Sequence, residues 1–220
     1  MTRYKNKYRI ESARLQTWDY ASEGAYFITI CTKNRVHYFG EIVETQCIAS
    51  LQMQLNELGQ IAETEWIKTI ELRPDMNLEL GVFVVMPNHF HAIIMIGKNE
   101  YNTQNDVQSG APRRDAMHRG DAMHCASTTN PTDPTDPTDL TTNGRKNKFG
   151  PQYKNLSSII RGFKSSVTTN ARKIGNTEFA WQSRFHDHII RDAKSFERIQ
   201  NYILNNPKNW SEDMFNSKKT

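Results

Sequence analysis

Residues Leu80 to Ile96 constrain the fold more than any other part of this 220-residue chain. Two runs rich in Val and Ile, Leu80 to Val85 and His89 to Ile96, flank the short punctuation Met86-Pro87-Asn88. β-Branched residues suit a pleated, packed surface, and Pro and Asn supply turn chemistry, so the stretch reads as two strands joined by a tight turn. Successive side chains on a strand point to opposite faces, so His89 and His91 project together while Phe90 goes to the other side. Two neutral imidazoles on one rigid face form an incomplete metal site that needs a third ligand from elsewhere in the chain. The plainer alternative is two polar residues at a strand end. The apolar setting speaks against it, because a sheet interior is a costly place for unpartnered histidines.

Upstream, Ala25-Tyr26-Phe27-Ile28-Thr29-Ile30-Cys31-Thr32 is dense in β-branched and aromatic residues and reads as a strand. From about Glu44 to Ile70 the pattern turns helical, with Ile48, Leu51, Leu55, Leu58, Ala62, Trp66 and Ile70 at three- and four-residue steps and Gly59 as a point of bending. His37, beside aromatics, reads as a packing residue. Downstream of the hairpin, residues 98–149 become polar and Pro-rich. Asp-Ala-Met-His occurs at 115–118 and again at 121–124, and Pro-Thr-Asp runs three times from Pro131. Such a segment has too little apolar surface to offset the entropy of ordering it, so it reads as a disordered insertion, and its His118 and His124 make poor ligands. The expected organisation is one domain formed by residues 1–97 and 150–210, the insertion, and a tail over 211–220.

Order returns with Leu156, Ile159, Ile160, Phe163, Val167 and Ala171, a helical stripe whose outer side carries Arg161, Lys164, Arg172 and Lys173. Trp181 to Arg191 reads as a strand with a second His-x-His, His186 and His188. An aspartate separates these two, and the pair reads as a decoy for metal. A last helix starts near Asp192-Ala193-Lys194 and ends at about Asn205 before Pro207, with Phe196, Ile199 and Ile203 as its apolar stripe. Tyr202 and Asn206 are four apart and lie one above the other, and Arg198 sits one turn earlier. One edge of this helix thus offers a phenol, a neutral oxygen ligand and a cation.

Composition adds bounds. The chain is 37% hydrophobic and 24% charged, with a net charge of +4 that permits a nucleic-acid partner without requiring one. Basic residues gather in the first nine positions, at Arg145 to Lys148 and from Lys154 to Lys173. No apolar run approaches the roughly 20 residues that span a bilayer. Cys31, Cys47 and Cys125 show no metal-type spacing, so a reducing cytoplasm fits best.

Met86-Pro87-Asn88-His89-Phe90-His91 is similar to the His-hydrophobic-His motif of the HUH single-strand nucleases. The series Trp181-Gln182, Phe185 to Arg191 and Tyr202-Ile203-Leu204-Asn205-Asn206-Pro207 resembles the C-terminal half of REP-associated tyrosine transposases, relatives of the one-tyrosine insertion-sequence transposases. The likeness covers about residues 20–97 and 150–210. It implies a ferredoxin-like α/β fold, an antiparallel sheet with helices packed on one face. It implies that His89, His91 and Asn206 hold one Mg²⁺ or Mn²⁺, that Tyr202 is the nucleophile, and that the substrate is single-stranded or hairpin DNA. The activity implied is that of a transposase and metal-dependent endonuclease passing through a 5′-phosphotyrosine, in a cytoplasmic, nucleoid-associated protein that is a monomer or homodimer. Arg161, Lys164, Lys173, Arg184, His188 and Arg191 are the expected phosphate contacts, with Trp181 or Phe185 able to stack on a base and Trp181 equally suited to the core. The long insertion departs from the family's common core. Two other readings remain: a non-catalytic single-strand-binding module, and a metallohydrolase that lacks an evident acidic ligand.

Overall fold

The computed structural model describes residues 18–44, 51–103 and 153–216. The basic N-terminal residues, Ile48, Cys47, Cys125, Arg145 to Lys148 and nearly all of the expected insertion, with His118 and His124, lie outside the described residues. Four strands form the main sheet: β1 (Gly24–Cys31), β4 (Leu78–Met86), β5 (His89–Ile96) and β6 (His186–Ile190), in the spatial order β4-β5-β1-β6. All neighbours pair antiparallel. Helix α1 (Glu57–Glu71) connects β1 to β4, α2 (Leu156–Lys173) connects β5 to β6, and α3 (Ala193–Asn205) follows. Through β6 this is the split βαβ arrangement of a ferredoxin-like fold, as expected. A second, two-stranded sheet pairs β2 (Gly40–Glu44) with β3 (Leu51–Leu55).

Helices α1 and α2 cover one face of the sheet. Leu58, Ala62 and Trp66 of α1 and Leu156, Ile159, Ile160, Phe163 and Val167 of α2 enclose Tyr26, Ile28, Ile30, Phe90, Ala92 and Ile94. The rings of Trp66, Phe90 and Phe163 form its centre, with pairwise centroid distances of 5.1 to 5.2 Å. The expectation of helices on one face holds for these two and is corrected for the third. Ile199 and Ile203 of α3 pack with Ile93 and Ile190 against Phe27, Val82 and Val84 on the opposite face. The apolar stripe of α3 has to be buried somewhere, and the first face is already filled.

The helical reading of 44–70 is also corrected. Leu51-Gln52-Met53-Gln54-Leu55 alternates between partly buried and exposed and pairs with β2. The helix begins only after Asn56, whose side chain accepts the Gly59 backbone N–H at 2.9 Å. Leu51, Leu55 and Leu58 satisfy helical spacing by coincidence, and Ile70 is exposed rather than core. Gly59 does not bend the helix. It lies in the first turn, where a Cβ would stand 2.2 Å from the Phe39 carbonyl oxygen, so glycine permits the close approach of the second sheet. Strand β6 is shorter than the expected 181–191: Trp181 makes only an isolated bridge to Thr32 and packs among Phe39, Phe163 and Phe179.

Two stretches set aside as insertion and tail begin as ordered structure. Asn99 donates to the carbonyls of Met76 and Gly97, and Asn102 to that of Gly97. Residues 210–216 fold back over the histidine pair, as described below.

Candidate active site

A bulge sets which side chains reach the second face. The β4–β5 register shifts between Leu80 and Phe83. Leu80 faces the main core before it, Phe83 and Val85 face that core after it, and Val82 and Val84 turn to α3. Beyond the Met86-to-His89 turn, Phe90 enters the main core while His89 and His91 lie on the α3 face, both buried. Thr29 of β1 is the register partner of His91. The alternation read from the sequence therefore delivers both imidazoles to one face.

Each imidazole is held through Nδ1. The His89 ring nitrogen Nδ1 lies 2.9 Å from the Asn88 amide oxygen, and that of His91 lies 2.8 Å from the Thr29 hydroxyl. Such partners fix ring orientation and leave Nε2 turned to the site. Burial pushes the His91 pKa down to about 3, against a hydrogen bond to the Ile28 carbonyl that acts the other way. His89 is also pushed well below its usual 6.5, first by burial and then by the neighbouring His91 ring, whose centroid is 4.5 Å away. Both rings are neutral near pH 7, the state in which imidazole is a ligand.

Helix α3 brings the phenol. The Tyr202 hydroxyl lies 3.3 Å from His91 Nε2, and its ring stands edge-on to Phe27 at 6.1 Å. Tyr202 is 44% exposed, so a large substrate can reach it. Burial of its inner side raises the phenol's pKa, and the charge of Asp213 raises it further. Asn206 caps α3 one turn later and is buried. The donor set is tested for a divalent cation by two atoms: His89 Nε2 and Asn206 Oδ1 are buried without a hydrogen-bond partner. The Asn206 side chain approaches the His89 ring closely enough to offset part of the burial effect there, although neither His89 Nε2 nor Asn206 Oδ1 meets hydrogen-bond geometry with any partner. Orphaned buried acceptors are costly, and a cation relieves both. Two imidazole nitrogens and an amide oxygen therefore fit such an ion. Among the described residues, no three His, Cys, Asp or Glu side chains are gathered closely enough to hold one by themselves.

An uncharacterised protein of Haemophilus influenzae (strain Rd) is 35% identical over 203 residues, which span 92% of this chain and 90% of that protein. This chain belongs to its family. No family model matches the sequence. Among solved structures, a REP-associated tyrosine transposase bound to a REP hairpin is similar over 90% of this chain and 73% of that one, at 20% identity and a TM-score of 0.47. A Deinococcus radiodurans R1 chain assigned provisionally as a transposase is similar over 90% and 97%, at 11% identity and a TM-score of 0.35.

In this family member the expected site residues divide into two groups. His89, His91, Tyr202 and Asn206 converge. The expected phosphate contacts do not. Arg161, Lys164 and Lys173 belong to α2, which packs on the face away from the histidines, so they do not join that site. Lys164 is partly buried and donates to the Gln182 carbonyl, and Lys173 lines a groove with Glu57, Gln60 and Glu65 of α1. Arg184 lines an open cleft of about 910 Å³ with Lys33, Arg35 and Trp181. His186, His188 and Arg191 are exposed along and just beyond the β6 edge. Two residues near the histidines went unnoticed in the sequence. Thr29 has no local signal, because only strand pairing brings it to His91. Asp213 lies in the expected tail, residues 211–220. No helix among the described residues is long and apolar enough to cross a membrane.

Proposed function

We propose that this protein is a tyrosine transposase of the HUH type, a metal-dependent single-stranded DNA endonuclease and strand transferase. The observation that carries the reading is the 3.3 Å approach of the Tyr202 hydroxyl to His91 Nε2, with Asn206 one turn further along the same helix. The resemblance of the motifs supplies the substrate class, single-stranded or hairpin DNA.

His89, His91 and Asn206 would hold Mg²⁺ or Mn²⁺. Bound there, the ion would withdraw charge from a nonbridging phosphate oxygen and orient the scissile phosphate. The residues of the chain do the rest. Asn88 and Thr29 keep both Nε2 atoms facing the site. Phe27 stacks on His91 at 5.4 Å and supports the Tyr202 ring edge, so the phenol is presented in a restricted orientation. Attack by the Tyr202 oxygen forms the tyrosyl–phosphorus bond and breaks the bond to the 3′-oxygen. The phenolic proton is released, and the departing 3′-oxygen takes one up. The phosphodiester bond energy is kept in the 5′-phosphotyrosine, so a 3′-hydroxyl can reverse the step and join strands without a nucleotide cofactor.

Labelled single-stranded oligonucleotides drawn from the DNA flanking the gene provide the test. With Mg²⁺ or Mn²⁺ the wild type should give a covalent protein–DNA adduct that survives denaturing electrophoresis, and Tyr202→Phe should give none while binding the same DNA. An adduct retained by the Phe variant would overturn the assignment. DNA binding by the wild type with no adduct under any divalent cation would favour the non-catalytic module instead.

A further inference from the structure

Strand pairing places His186 and His188 on the face that carries the candidate site. Strand β1 runs between β5 and β6. Thr29 is the register partner of His91 on one side and of His186 on the other, and Phe27 is that of His188. Residues directly opposite in an antiparallel pair point to the same face. Thr29 meets His91 Nδ1 and Phe27 stacks on the His91 ring, so His186 and His188 share the face of the buried histidines. Ile189, next to them, turns to the other face and packs against the main core. The backbones of His91 and His186 lie two strands apart, about 10 Å. A charge on His186 is felt at His91.

Two sides of the site are closed. Helix α3 packs over β4 and β5 through Ile199 and Ile203, which meet Ile93, Val82 and Val84. The C-terminal turn covers His89. Trp210 lies 5.9 Å and Phe215 4.6 Å from its ring, and the Asp213 carboxylate stands 4.0 Å from Nε2. Asn88 and Arg35 hold this turn by donating to the carbonyls of Phe215 and Met214, each at 2.8 Å. The strip of β1 and β6 beside Tyr202 is open among the described residues: His186 and His188 are exposed there, and Phe27 is only partly buried. Tyr202 stands edge-on to Phe27, whose neighbour on β6 is His188. A DNA strand that brings a phosphate to the phenol reaches it across this strip.

An imidazole can donate a ring N–H to a phosphate oxygen whether it is neutral or protonated. Such contacts set the position of a strand without reading its bases. At about 10 Å from His91, the His186 backbone is too distant for its ring to share the phosphate beside Tyr202 and is placed to meet the next one. We propose that His186 donates a hydrogen bond to the phosphodiester adjoining the scissile one and so seats the DNA strand on the β1–β6 strip. The proposal rests on the DNA-cleaving reading of the preceding section. It assigns the second His-x-His to substrate rather than to metal.

The test uses the full chain with Mn²⁺ and the single-stranded oligonucleotides described above, the scissile position being mapped from the wild-type adduct. Adduct formation is followed against DNA concentration for the wild type, His186→Ala and His186→Gln. His186→Ala should raise the half-saturating DNA concentration about tenfold, the loss of a hydrogen bond to a charged group. The rate at saturation should stay close to that of the wild type, since the contact serves binding. His186→Gln, whose amide also donates, should recover most of the loss. The titration is then repeated on DNA carrying one neutral methylphosphonate on either side of the scissile phosphate in turn. At one of these positions the methylphosphonate should weaken the wild type about tenfold and His186→Ala no further, as expected of two partners in one contact. Losses that multiply at both positions would overturn the proposal, as would an Ala variant that saturates like the wild type or loses only its saturated rate. In each of those cases the wild-type adduct keeps the DNA-cleaving reading standing. A wild type that forms no adduct with any divalent cation would remove that reading and this proposal together.

Discussion

Thr29 shows how much a single hydroxyl does at this site. It is buried in β1 and meets His91 Nδ1 at 2.8 Å across the sheet. Thr29→Val keeps the branched shape and removes the polar atom. Partners behind a ligating histidine are typically worth 10- to 100-fold in metal affinity, so the variant should bind Mn²⁺ about that much more weakly. Its folding free energy should fall by about 1–3 kcal/mol, the cost of an unsatisfied buried group. Calorimetry and denaturant unfolding check the two numbers separately. An unchanged affinity would mean that the strand alone orients the ring. His89, His91, Tyr202 and Asn206 are legible in the sequence, because each lies in a local pattern: alternation on a strand, or a four-residue step on a helix. Thr29 and Asp213 are not, because their proximity is created by strand pairing and by a turn more than a hundred residues away in sequence.

At the level of elements, capping and ring packing decide where helices begin and what holds them. Asn155 and Ser158 form a reciprocal capping box at the start of α2. Asn155→Ala should cost about 1 kcal/mol in urea unfolding. Phe163, one turn and a half further in, fills the space between Trp66, Phe90 and Trp181. Phe163→Ala should cost about 3–5 kcal/mol, because the surrounding rings cannot close on the void. The sequence reading placed α2, α3 and the hairpin well, since each repeats one period over many residues. It failed at β3, where five residues fit either period and the polar glutamines at 52 and 54 were the better guide. The one-face placement of helices that the resemblance implies does not extend to α3, because periodicity identifies the face a helix buries, not which side of a sheet receives it.

For the whole molecule, the two buried imidazoles make stability depend on pH. In the unfolded chain each titrates near about 6.5. In the native state His91 is pushed to about 3 and His89 well below its usual value, both chiefly by burial. The unfolded state therefore takes up protons that the native state refuses. Their contribution is complete above about pH 6.5 and is lost as the pH falls towards 3. Glu65 and Asp75, whose carboxyls are lowered by hydrogen bonds that outweigh their burial, add to the decline only below their ordinary values of 4.5 and 3.8. Urea unfolding of metal-free protein at pH 7.5, 6, 5 and 4 should show stability decreasing at each step, beginning above the carboxylate range. A flat profile between pH 7.5 and 5 would contradict the neutral, buried state of the pair.

The sheet carries a thick layer on one side and a thin one on the other. Amide protons of α1, α2 and the central strands should exchange with solvent only through global unfolding. Those of α3 can exchange through a smaller opening that lifts Ile199 and Ile203 from Ile93 and Ile190 while the rest stays native. The phenol would then ride on the least protected of the three α-helices among the described residues.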